Sequence, residues 1–171
     1  METEKILCEF LELIPGRNSC IINKVSGKKL IINSKFYSEP ARSIYFNPRF
    51  PVIRGALTHP TKVTAYRLNK EKFGFDVYLK RLFNTINLEM DQVCLTQHQI
   101  IRLVEKRPKF IEDPNTRTLF LIKGERSFIV ACARPKFHHF DDPIELTPLD
   151  IRDVIYTERT DIHVVIPQLV T

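Results

Sequence analysis

Apolar residues change their period several times along this chain, and each period predicts an element. Ile6, Leu7, Phe10, Leu11 and Ile14 recur at helical spacing, while Glu9 and Glu12 fall on the other side. With Thr3 as cap and Pro15-Gly16 as stop, this spacing predicts a helix over residues 4–14. Residues 20–25 and 30–36 are apolar runs flanking Ser26-Gly27, which predicts a hairpin turning at the glycine. Residues 62–68 predict a strand. Residues 72–84 fit two templates. Phe73, Phe75, Val77 and Leu79 alternate as in a strand, but Phe75, Tyr78, Leu79, Leu82, Phe83 and Ile86 form a longer helical series, so a helix is expected.

The second half is more regular. Ile86, Leu88 and Met90 alternate with polar residues and predict a strand over 86–94. Thr96-Gln97-His98-Gln99 is a capping box that opens a helix, which Pro108 stops. Residues 118–123 and 127–133 predict a second hairpin. Thr147, with Pro148 at the first helical position and Asp150 in the first turn, predicts another helix, in which Ile151, Val154 and Ile155 are buried. His163–Ile166 predicts a last strand. The order strand, helix, strand, strand, helix, strand is ferredoxin-like. The expected fold is therefore α+β: an N-terminal helix and β-hairpin lobe (1–85) packed on a ferredoxin-like βαββαβ half (86–171), or the two fused as one continuous domain.

Composition narrows the class. The 171 residues are 43% hydrophobic and 27% charged, as in a folded globular protein, and no apolar run nears the roughly 20 residues that span a bilayer. The acidic start Met1–Lys5 does not read as a secretory signal. Cys8, Cys20, Cys94 and Cys132 form no Cys-x-x-Cys pair and lie in apolar stretches, so reduced thiols in the cytoplasm or another reducing compartment are expected. Pro40, Pro48, Pro51 and Pro60 mark an ordered but irregular connection.

Charge changes the picture most. Residues 41–85 hold nine basic side chains against two acids, a local +7, whereas residues 1–40 sum to +1 and residues 86–171 to −2. Tyr45, Phe46, Phe50, Tyr66, Phe73, Phe75, Tyr78 and Phe83 lie in the same block. Cations among rings suit phosphates and stacked bases. The candidate nucleic-acid-binding residues are Arg42, Tyr45, Arg49, Phe50, Arg54, Arg67, Lys80 and Arg81. The competing expectation is that Tyr45 and Phe46 plug the core while the arginines are solvated or paired.

Other chemistries find less support. The basic, Gly, aromatic, small, aromatic pattern of RNA-recognition modules is met within 126–133 only at Arg126 and Phe128. These strands are apolar enough to predict a sheet covered on both faces, and a covered sheet binds no bases. His138, His139, Asp141 and Asp142 could ligate a transition ion, but adjacent histidines point different ways, so a solvated loop is expected there. Lys28-Lys29 after Gly27 leads into a strand, not a helix, which excludes a P-loop; no Gly-x-Ser-x-Gly occurs, and Gly74 stands alone. No cofactor, no metal and no catalytic residue is expected. The leading expectation is a non-catalytic nucleic-acid-binding protein. The alternatives are a protein-interaction subunit with an acidic partner and, more weakly, a metal-dependent enzyme using the His138–Asp142 loop. No membrane partner is expected, because the polar face of the N-terminal helix is acidic.

Overall fold

The computed structural model describes residues 10–14, 16, 18–23, 36–37, 44–46, 60–86, 90–123, 127–136 and 143–167. Its strands are β1 (Leu11–Leu13), β2 (Ser19–Ile22), β3 (Phe36–Tyr37), β4 (Ile44–Phe46), β5 (Thr61–Leu68), β6 (Asp76–Tyr78), β7 (Thr116–Lys123), β8 (Phe128–Pro135), β9 (Ile144–Asp150), β10 (Val154–Tyr156) and β11 (Asp161–Pro167). Nine of these join a mixed sheet ordered β1-β5-β11-β7-β8-β9-β4-β3, with β2 following β1 along the same edge of β5. β6 and β10 form a separate two-stranded ribbon. The helices are α1 (Lys70–Phe73), α2 (Leu79–Ile86), α3 (Gln97–Glu105) and α4 (Lys109–Glu112), with a 3₁₀ turn at Met90–Gln92.

The sheet is covered on both faces, and its central strands are apolar on both sides for that reason. On the first face Val63, Ala65, Phe120, Ile122, Ala131 and Val165 pack under α3 and α4. On the second face Leu119, Leu121, Val130, Val164 and Ile166 pack under α1, α2 and the ribbon. Cys132 is buried on that second face, and Cys20 and Cys94 are half-buried; all three are free thiols. Burial pushes the Cys132 thiol up to about 11. Burial and then the charge of Asp91 push Cys94 up to about 12.

The capping box forms as the sequence predicts. The Gln99 amide donates to Thr96 Oγ1 (3.1 Å), and the Thr96 amide donates to Gln99 Oε1 (2.9 Å). Gln99 Nε2 also donates to Thr61 Oγ1 (3.2 Å), so one side chain both starts α3 and ties it to β5. The short α4 is held differently. The Phe110 carbonyl accepts from Thr118 Oγ1 and from His163 Nδ1, both at 3.0 Å, which fixes α4 to β7 and β11.

The α+β class holds, and several elements differ from expectation. Where a helix was expected from Thr147 there is the strand β9, because register with β8 (Leu146 opposite Ala133, Thr147 opposite Cys132) outweighs the local capping signal. Within the strand expected over 86–94, Ile86 closes α2, Met90–Gln92 form a 3₁₀ turn and Cys94 bridges to Leu121, while residues 87–89 lie outside the described residues. Both departures remove the ferredoxin-like βαββαβ order. Leu11–Leu13, expected in a helix, is a strand on β5. β2 pairs with β5; the Ser26-Gly27 turn and residues 30–35 of the expected hairpin lie outside the described residues. Strands from both sides of residues 85/86 share the one sheet, and that point of the chain lies within α2.

Two outcomes follow. Thr96→Ala removes the cap and lowers unfolding free energy by about 1 kcal/mol in urea titration. In native protein near pH 8, Cys132 reacts with a thiol reagent far more slowly than Cys20, and unfolding removes the difference.

Candidate nucleic-acid interface

The structure separates the predicted cations. Arg42, Arg49, Phe50 and Arg54 lie outside the described residues, and Tyr45 is described only as backbone in β4, opposite Glu145 of β9. Arg67 alternates with Val63 and Ala65 and so projects on the first face of the sheet, where Glu12 of β1 stands opposite it and accepts its guanidinium at 3.2 Å. Lys80 and Arg81 belong to α2, which covers the second face. The sheet thus lies between Arg67 and the α2 pair. Lys70 is paired as well, with Asp161 of β11 at 2.8 Å. Exposed pairs of this kind contribute roughly 0–1 kcal/mol to stability. Their larger effect is to cancel charge at the surface.

Rings gather where the second face is covered. In the ribbon Ile155 stands opposite Val77, and both are buried against the core. Alternation then turns Tyr78 and Tyr156 outward, 57% and 71% exposed. They are diagonal neighbours across the ribbon, since Tyr78 faces Val154 and Tyr156 faces Asp76. Diagonal positions of this kind lie about 7–8 Å apart. Phe75, 60% exposed, precedes β6. It leaves α1 through Gly74, whose φ of +77° favours glycine. Thr157 clamps this end: its amide donates to the Phe75 carbonyl at 2.8 Å, directly after Tyr156 in sequence.

Two cations follow Tyr78 closely in sequence. Lys80 is exposed two residues after Tyr78, and Arg81 lies over the Phe73 ring at 5.7 Å, a cation–π contact that orders the guanidinium. Phe73 itself meets Phe10 edge-on at 5.1 Å. No family model, curated protein or solved structure matches the chain. The ribbon offers two outward tyrosine rings on a strand pair whose inner side is buried, and Lys80 follows Tyr78 by two residues.

Other candidates fare differently. Among the described residues no group of three or more His, Cys, Asp or Glu side chains could hold a metal, and no helix is long and apolar enough to cross a membrane. The His138–Asp142 loop lies outside the described residues. Sequence reasoning missed Tyr156, which it placed at the end of a helix. The alternation of Val154, Ile155 and Tyr156 was the available signal, and the Thr147-Pro148 cap obscured it.

His163 offers a measurable check on the first face. Burial lowers its pKa; the bond to the Phe110 carbonyl, Asp113 and Asp161 oppose this, and Arg67 adds to it. Its ordinary value is about 6.5. The unfolded chain therefore binds the proton more readily than the folded one. His163 contributes full stability above about pH 6.5, and that contribution declines as pH falls from there through the lower folded value. Urea titrations between about pH 5.5 and 7.5 should show this decline in the native chain and a shallower one in His163→Gln.

Proposed function

We propose that this protein binds single-stranded nucleic acid without catalysis, using the outer face of the β6–β10 ribbon. Phe75, Tyr78 and Tyr156 supply stacking faces, while Lys80 and Arg81 neutralise phosphates. Arg42, Arg49 and Arg54, from the proline-rich connection, extend the basic track in this reading. One observation carries it: Tyr78 and Tyr156, each more than half exposed, are diagonal neighbours on a ribbon whose Val77 and Ile155 are buried in the core. Rings held this way lose little freedom on stacking, and two tyrosines can also hydrogen-bond to bases. The three free thiols among the described residues suit a reducing compartment, where we place the protein.

A second reading, an acidic protein partner, is favoured by the sheet edge. Leu13 and Ile21 are 58% and 55% exposed there, and Ile21 stands opposite the exposed Lys62. Lys106 of the chain after α3 donates to the Ile21 carbonyl and so blunts this edge against strand addition. Side-chain docking is the mode left to such a partner.

The two readings separate in solution. Tyr78→Ala and Tyr156→Ala should each weaken binding of a short single-stranded oligonucleotide by about tenfold in fluorescence anisotropy. Lys80→Ala with Arg81→Ala should lower the log–log salt slope by about 1.4, two phosphates at about 0.7 each. Binding that survives all four changes, or no binding at low salt, removes the nucleic-acid reading and leaves the edge.

A further inference from the structure

Three arginines from distant parts of the chain line one cavity on the second face of the sheet. Arg117 is the second residue of β7, Arg134 is the last but one of β8, and Arg159 lies in the bend between β10 and β11. Asn115, Thr116 and Thr160 add neutral polar groups to the wall, and the volume is about 180 Å³. Among the described residues no carboxylate lines it. Arg134 is paired with Glu145 of β9, whose Oε2 accepts from Arg134 Nε and Nη2 at 3.3 Å. Arg134 keeps its remaining N–H groups for another acceptor. Among the described residues neither Arg117 nor Arg159 has an ion pair.

Parity places these groups together independently of the cavity. Arg117 alternates with Leu119 and Leu121, and Arg134 with Cys132 and Val130, all on the second face. Arg117 stands opposite Ile162 of β11, and Arg134 opposite Glu145. Two hydrogen bonds close the rim: the Asp161 amide donates to the Asn115 carbonyl, and the Thr160 amide donates to the Thr157 carbonyl. The bend carrying Arg159 is thereby held against the start of β7.

Three arginines around one cavity, with a carboxylate reaching only Arg134 from the far side of β8, repel one another, so the arrangement is favoured when an anion sits among them. The size of the cavity selects which anion. Pockets for drug-sized ligands run from about 300 Å³ upward. This one holds a single tetrahedral group and a few waters, at roughly 30 Å³ per water. A backbone phosphodiester carries two chain substituents and a single charge, whereas a terminal phosphate has one substituent and nearly two charges near pH 7. Guanidinium forks match its oxygens two at a time.

We propose that Arg117, Arg134 and Arg159 form a binding site for a phosphate monoester. The phosphate belongs either to a small phosphorylated molecule or to the end of a nucleic-acid strand. Tyr156 is three residues from Arg159, at most about 11 Å along the chain, so a strand end seated here could continue onto the ribbon. The site itself does not depend on the ribbon reading.

The test is calorimetric titration of the full chain with inorganic phosphate, adenosine 5′-monophosphate and, as control, adenosine. Phosphate and the monophosphate should bind, and adenosine should not. Arg159→Ala, on an exposed bend where folding is unaffected, and Arg117→Gln should each weaken that binding about tenfold, the loss expected for one charge-assisted contact. Arg159→Lys should recover part of it, and Tyr78→Ala should leave it unchanged. An oligonucleotide with a 5′-phosphate that outbinds its 5′-hydroxyl twin, with the gain abolished by Arg159→Ala, assigns the site to strand ends. Equal binding of the twins with retained monophosphate binding assigns it to a small molecule. Loss of oligonucleotide binding alone would overturn only the ribbon reading. Failure of phosphate and monophosphate to bind at millimolar concentration, or binding indifferent to Arg117→Gln and Arg159→Ala, overturns the site.

Discussion

Burial of the main sheet on both faces is the constraint from which the other features of this protein follow. Val63, Ala65 and Phe120 need α3 and α4 above them, and Leu119, Leu121 and Val164 need α2 and the ribbon below. A sheet clothed in this way has no open face on which to stack a ligand. Binding chemistry is displaced to the covering layer, to the edge formed by β1 and β2, and to the loops at the strand ends. Each candidate surface lies in one of those places.

The ribbon shows how a covering layer can also present a surface. Val77 and Ile155 close the core on one side, and strand alternation then puts Tyr78 and Tyr156 into solvent on the other. Burial on the inner side fixes the outward side, because a shift of one residue would expose Val77 and bury the tyrosines. Thr157, fully buried, secures the end of the ribbon to the backbone of Gly74 and Phe75. Exposed rings on a frame this well held are preorganised, which lowers the entropic loss on contact.

Electrostatics by segment and by surface give different maps. The +7 of residues 41–85 is partly cancelled in space: Glu12 reaches Arg67 from one end of the chain, and Asp161 reaches Lys70 from the other. The converse holds in residues 86–171. Their sum of −2 hides Arg117, Arg134 and Arg159, which antiparallel pairing of β7 with β8 and the parallel return of β11 beside β7 bring to one cavity. Coulombic effects decay with distance through space, so a sum over a stretch of sequence predicts a surface only where neighbours in sequence remain neighbours in the fold.

By itself the sequence determined what depends on near neighbours. The Thr96 and Gln99 capping box, the strand over 62–68, the antiparallel strands β7 and β8 and the strand of His163–Ile166 all follow from signals spanning a few residues. So does an α+β protein with a sheet covered on both sides. Tertiary structure decided what depends on remote partners. Ile144–Asp150 became a strand because β8 offered a complete ladder, although Thr147 and Pro148 promise a helix. Residues 72–86 divided into α1, β6 and α2 because β10 was available to pair with Asp76–Tyr78. The rings of the ribbon and the arginines of the cavity were brought together by the same long-range pairing. Local propensities are worth less than about 1 kcal/mol per residue, and a long-range ladder with buried side chains exceeds that wherever it can form.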